Sequence, residues 1–369
     1  RYCTQLYTCR LRKILKMTNC THYDLVEFGA ALEQQTTQLR SPSGEEILLE
    51  VICTGVCHSD LHIIEGQFDL GEEGVMRMAD RGMKLPRTLG HETVGRVSAV
   101  GPDADPALVG RTMLVFPWLG CGDCRPCQEG RSNDCMAMRI IGLVQDGGYA
   151  SHMLVENAEA LVDCDGLDPA TVASHACSGL TVYNALGKLA IPHSESWLAI
   201  LGVGGLGLNA VAIAHAMGYR NILAADINDA NLCAARDMGA TMTLNTKVDD
   251  ALEQLHEQTG GQLSDVLDTV GAPQTARLAV HGLIKGGRYV VVGLHGGDFK
   301  MPQPWLPQKA MTVMGSHVGT RAQLHELIAL VRGGKVKPLP VECRPMGVIN
   351  DALSDLHAGR VTGRIVLTN

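Results

Sequence analysis

Aromatic side chains are scarce in this 369-residue chain, at 4% of residues, and positive charge is in deficit, with 31 Lys and Arg against 39 Asp and Glu. The formal charge of −8 and a pI near 5.9 argue against the basic face that nucleic acid or an anionic membrane requires. Small molecules are the partners that remain. The sequence also lacks an internal repeat, a low-complexity tract and an initiating methionine. Residues 1–16 carry Arg1, Arg10, Arg12, Lys13 and Lys16 with no acid. A targeting peptide or basic arm is one reading, and upstream sequence ahead of a natural start at Met17 is the one adopted. The longest uncharged run, 196–219, would span a bilayer by length. Five glycines and His215 divide it into strand, turn and helix instead, so no membrane segment is expected.

What is present begins with length, since 369 residues exceed the usual reach of one hydrophobic core and imply two domains. From Thr21, short runs such as EEILLEVICTGV (45–56), VGRVSAVG (94–101) and RTMLVF (111–116) alternate β-branched with polar residues between Pro and Gly. They predict a mostly β, barrel-like half. The pattern then changes period. WLAILG (197–202) reads as a buried strand, LGLNAVAIAHAMG as a helix and NILAAD (221–226) as a strand, and the alternation continues to RYVVVG (288–293). Such alternation predicts an α/β doubly wound parallel sheet, the Rossmann fold. Helices around AQLHELIALVRGG and VINDALSDLHAG and a last strand GRIVLT follow, returning to the first domain. The division expected is 17–178, 179–316 and 317–369, with the middle segment as the dinucleotide-binding domain.

The cysteines concentrate in one place. Cys121, Cys124, Cys127 and Cys135 are spaced C-x2-C-x2-C-x7-C, which puts four thiolates on one short loop, as a closed tetrahedral zinc site needs. A disulfide framework fits poorly, because the other cysteines are scattered singly through apolar segments, the usage of a reduced, cytoplasmic protein. An iron–sulfur cluster would place the fourth cysteine closer and follow it with proline, where this chain has Met136. A four-thiolate zinc has no open position, so the loop is expected to be structural and the chemistry to lie elsewhere.

Gly202, Gly204, Gly205 and Gly207 lie in GVGGLG, between a predicted strand and a predicted helix. The first glycine permits a tight turn, the second lets backbone approach a pyrophosphate, and the last lets the helix lie close to the sheet. Asp226 closes the next strand, placed to bond a ribose 2′-hydroxyl, and neither Ile227 nor Asn228 could neutralise a 2′-phosphate. NAD is favoured over NADP. A glycine-rich turn with a surface aspartate is the bland alternative.

Taken in order, GVCHSDLH, LGHE, the four-cysteine loop, ACSGLTVY, GVGGLG and GRIVLT resemble the zinc-dependent medium-chain alcohol dehydrogenases, from about Thr21 to Asn369. The segment from Ile63 to Glu92 looks like the longer connection of archaeal and some bacterial members, and Trp118 resembles an aromatic lining their substrate pocket. The resemblance implies a GroES-like catalytic domain, NAD, and a second, catalytic zinc held by Cys57, His91 and Cys177, for two zincs per subunit. That ligand set is carried over from the family; singly, these residues would read as buried cysteines and a core histidine. By the same resemblance Ser59 bonds the alcohol oxygen and His62 releases its proton through a relay along the cofactor ribose. Asp60 and Glu92 support the metal site, His58 and Arg364 meet the pyrophosphate, and Thr181 packs on the nicotinamide. A turn hydroxyl for Ser59, an exposed histidine for His62 and a structural ion pair for Asp60 or Glu92 are the corresponding bland readings.

The resemblance implies interconversion of a primary or secondary alcohol with an aldehyde or ketone, in a homodimer or homotetramer. A zinc-free quinone reductase of the same superfamily would lack Cys57, His91 and the cysteine loop, and a non-catalytic relative would have lost ligands or relay. Polyol and sugar dehydrogenases are the nearest rivals, but those resembling this pattern commonly carry glutamate where Cys177 stands.

Overall fold

The computed structural model describes residues 17–189 and 196–369, so the leader expected at 1–16 lies outside the described residues. The alternating second half forms a six-stranded parallel sheet. Its order is Met242–Asn245, Asn221–Asp226, Trp197–Leu201, Leu263–Asp268, Arg288–Val291, Thr312–Gly315. Trp197–Leu201 lies inside that sheet, and its apolar side chains point alternately to the two faces. Leu198 and Ile200 pack with Leu208, Val211 and Ala212 of helix Gly205–Ala216, while Ala199 and Leu201 meet Ala276 and Val280 of helix Pro273–Gly282. A strand covered on both faces needs apolar residues throughout, which explains the unbroken WLAIL run. Each fully buried leucine there contributes about 1.5–3 kcal/mol.

Strand order reverses between Trp197–Leu201 and Leu263–Asp268, and the glycine turn lies at the carboxyl end of Trp197–Leu201. Ligands of open α/β sheets bind at such a reversal.

The β-rich remainder is less closed than its sequence pattern suggested. Its main sheet runs Leu161–Asp163, Thr112–Val115, Glu92–Val100, Ile47–Gly55, Arg364–Thr368, Val341–Pro345, and His152–Val155 also pairs with Ile47–Gly55. Register shifts between Leu48 and Leu49 and between Val51 and Cys53 bend the sheet. Ile47–Gly55 changes partner along its length, with His152–Val155 against its first half and Val366–Thr368 against its last residues. Among the described residues the strands therefore form open sheets, including a separate three-stranded one, and no closed barrel.

The last strand, Arg364–Thr368, pairs antiparallel with Ile47–Gly55 of this half. Helix Ser178–Leu186 joins the two cores, giving Leu180 to one and Val182 and Ala185 to the other. Among the described residues no helix is long and apolar enough to cross a membrane.

Candidate active site and metal centres

Cys57 sits between strand Ile47–Gly55 and helix His58–Glu65. The helix starts there because the Asp60 carboxylate, in its first turn, accepts the Cys57 N–H at 2.9 Å, and it ends at Gly66, whose φ of 76° suits glycine. His91 immediately precedes strand Glu92–Val100, in which Glu92 lies opposite Gly55. A β-carbon at Gly55 would collide with the Glu92 carboxylate, so glycine there lets that side chain fold across the strand. Cys177 immediately precedes helix Ser178–Leu186. Three chain segments thus bring one ligand atom each from Cys57, His91, Glu92 and Cys177 within 4.8 Å of one another, all four residues buried.

His91 is oriented through Nδ1, which lies 3.2 Å from Asp60 Oδ1, while its Nε2 is buried without a hydrogen-bond partner. A lone buried ring nitrogen among two cysteine sulfurs and a carboxylate is the donor set zinc takes, and the residues present fit that ion. The Cys57 thiol is drawn well below its ordinary range by its hydrogen bond with Cys177, reinforced by Arg364 and His91. The same contact and burial raise Cys177. Burial pushes the Glu92 carboxyl up to about 7, against the pull of Arg364. The Arg364 guanidinium forks onto Glu92, with Nε at 2.9 Å from Oε2 and Nη2 on Oε1, and a permanently charged partner in that geometry favours the carboxylate.

Arg364 was expected at the pyrophosphate. The structure buries it on Glu92 and also beside the glycine turn, where a β-carbon at Gly205 would come 3.1 Å from Nη1. It therefore joins the metal pocket to the dinucleotide turn. Ser59 lies beside the pocket, its hydroxyl 3.7 Å from Cys57 Sγ, and His62 is one turn further along the helix, half-buried with its ring 5.1 Å from Phe68. His58 is exposed at the head of that helix. Thr181 is buried one turn beyond Cys177, whose carbonyl accepts its N–H. Trp118 is buried edge-on to His91, ring centroids 5.7 Å apart, and its indole N–H donates to the Ala176 carbonyl at 2.9 Å. That places it against the pocket.

Cys121, Cys124, Cys127 and Cys135 converge as a second group within 4.8 Å, with Cys124 and Cys127 sulfurs 3.4 Å apart. Sulfurs about 2.3 Å from one zinc would stand roughly 3.8 Å from each other, so the loop fits the ion with little adjustment. Backbone N–H groups of Cys121, Cys124 and Ala137 point at its sulfurs, and such bonds bring the Cys121 thiol down to about 7. None of the described cysteines is in a disulfide.

The glycine turn has room for a dinucleotide. Nothing lies near a β-carbon built at Gly204, Gly202 has a φ of 83°, and Gly207 packs against the Gly202 carbonyl too closely for any side chain. Asp226 Oδ2 accepts the Val203 N–H at 2.7 Å, which fixes the acid beside the turn. The open position at Gly204 and the neighbouring acid fit the phosphate and ribose of NAD.

Several supporting residues escaped the sequence reading. Tyr149 donates to Asp60 Oδ2 at 2.7 Å. The Ser178 N–H donates to Glu92 Oε1, and Asn209, on the helix after the glycine turn, donates to the Ser178 hydroxyl. The His317 ring lies 6.1 Å from Trp118. These contacts link segments far apart in the chain, and no local spacing announces them.

Comparison with known proteins gives the same assignment. Residues 43–165 match the alcohol dehydrogenase GroES-like domain, and residues 205–333 match the zinc-binding dehydrogenase family. The chain belongs to the zinc-binding alcohol dehydrogenases. It is 33% identical over 345 residues to an NAD-dependent alcohol dehydrogenase of Sulfurisphaera tokodaii, covering 93% of this chain and 98% of that one. Among solved structures, an alcohol dehydrogenase from Aeropyrum pernix superposes with a TM-score of 0.85 at 29% identity, covering 95% of this chain and all of the other. Acetophenone reductase from Geotrichum candidum in complex with NAD gives 0.82 at 31% identity, covering 95% and 97%.

Proposed function

We propose that this chain is an NAD-dependent zinc alcohol dehydrogenase, interconverting a small primary or secondary alcohol with its aldehyde or ketone. The observation that carries the reading is the buried meeting of Cys57, His91 and Cys177 beside a glycine turn built for a dinucleotide. Those three residues would hold the catalytic zinc, and Cys121, Cys124, Cys127 and Cys135 a structural one. When bound, zinc supplies a Lewis acid for the substrate oxygen and NAD a hydride acceptor. The rest falls to side chains. Asp60 orients His91, and Arg364 holds the Glu92 carboxylate next to the ligands. Trp118 shields the site from water. Ser59 Oγ takes the hydrogen bond of the substrate hydroxyl, and His62, on the solvent side of the same helix, passes the proton outward.

Asp226 would bond the ribose, with His58, Thr181, Gly202, Gly204, Gly205, Gly207 and Arg364 around the rest of the cofactor. A catalytic domain of 17–178 and 317–369, a cofactor domain of 179–316, a homodimer or homotetramer and a cytoplasmic location complete the reading.

Metal analysis with an NADH absorbance screen over alcohols, ketones, aldehydes and sugars tests it. The expected result is two zincs per chain and turnover with NAD on simple alcohols or ketones. One zinc or none with full turnover would sink it, and activity confined to sugars would move the chain to the polyol class.

A further inference from the structure

Asp60 is fully buried, and three donors converge on its carboxylate. Oδ2 takes both the Cys57 N–H at 2.9 Å and the Tyr149 hydroxyl at 2.7 Å, which leaves Oδ1 for His91 Nδ1 at 3.2 Å. With Oδ2 pinned twice, the carboxylate cannot turn without breaking two hydrogen bonds. We propose that Tyr149 is a positioning residue for the Cys57–His91–Cys177 pocket: its hydroxyl locks Asp60, and Asp60 holds the His91 tautomer that presents the Nε2 lone pair to the metal. The proposal rests on the reading that this pocket holds zinc.

Two further observations agree with it. Tyr149 is wholly buried, and burial together with Asp60 holds its phenol well above the ordinary value, so it stays a donor. Its ring also packs against Gly90, the residue before His91. Gly90 has a φ of 92°, and a β-carbon there would come 2.7 Å from the ring. Tyr149 thus reaches His91 twice, through its hydroxyl by way of Asp60 and through its ring by way of the backbone. Phenylalanine would keep the second contact and lose only the first.

The test compares zinc release to a chelator from wild type, Tyr149→Phe and Tyr149→Leu, with zinc counted per chain and the four-cysteine site as internal reference. Tyr149→Phe is expected to lose one zinc about tenfold faster, within the range for groups that orient a metal-bound histidine, while the other leaves at the wild-type rate. If Tyr149→Phe is hard to fold, it is folded in excess zinc, which stabilises any chain that binds it, and one zinc then leaving faster than from wild type treated the same way supports the proposal. Failure to fold even with zinc overturns it, as does a change seen only with Tyr149→Leu, which would leave the ring as a packing group. Equal release from wild type and Tyr149→Phe overturns the proposal alone. A wild-type chain with no zinc in this pocket removes the underlying reading with it.

Discussion

The two cysteine groups answer different demands. Residues 121–135 bring four sulfurs together on one short, half-exposed loop, a set that would leave a zinc no open position. The Cys57, His91 and Cys177 pocket draws its side chains from three segments, buries all of them, mixes sulfur with nitrogen, and sets the Glu92 carboxylate and Trp118 beside them. A closed, uniform site can stabilise a loop. A site with three protein ligands would leave a metal one position open to a substrate, and it needs a whole fold to hold it.

The first way to break that contrast is to remove one ligand from each group. Cys57→Ala should cut kcat/KM about 1000-fold or more, the several kcal/mol a metal's charge supplies. Cys124→Ser should instead lower Tm by roughly 5 °C, with turnover per folded chain close to wild type. Steady-state kinetics with thermal melts decide it, and comparable losses of turnover in both variants would erase the distinction.

The second way targets the buried charge pair found in only one group. Arg364→Leu leaves Glu92 buried without its cation and should cost about 3–5 kcal/mol of stability, read as a lower urea midpoint. Adding Glu92→Leu should restore part of it. An unchanged midpoint in the single variant would mean the carboxylate is already neutral.

A third, smaller effect sharpens the contrast in burial. Burial alone pushes the His175 imidazole down to about 4 from an ordinary 6.5. Between those values the unfolded chain binds a proton that the folded chain refuses, so stability is lost as pH falls through that window, by at most about 3 kcal/mol. His175→Leu should flatten the fall in Tm between pH 7 and 5. The same slope in wild type and variant would show that His175 is not its source.

Much of this was legible in the sequence, and the reasons are local. The glycine turn, the buried strand before it and the alternation of strands and helices follow from period and turn chemistry within about thirty residues. Strand Glu33–Leu39 was missed because EQQTTQL has no apolar alternation. Six of its seven residues are exposed, and it is held by pairing with Thr18–Leu25. The helix His58–Glu65 was seen as a motif and not as an element, since its start depends on Asp60 capping Cys57. In the candidate site, the four-cysteine loop could be derived, whereas Cys57, His91 and Cys177 were joined through family resemblance. Tyr149 gave no signal, and for Glu92 an ion pair was one of the readings but nothing local named Arg364 as its partner.

The sequence alone determined the elements whose causes are near neighbours: a covered parallel strand, a tight glycine turn, and a loop with four sulfurs within fifteen residues. Tertiary structure decided which distant groups share one buried space. Residues 92 and 364 meet because strand Arg364–Thr368 pairs with Ile47–Gly55, which pairs in turn with Glu92–Val100. Burial then raises the stakes, since away from water every charge and polar atom there must find its partner within the protein.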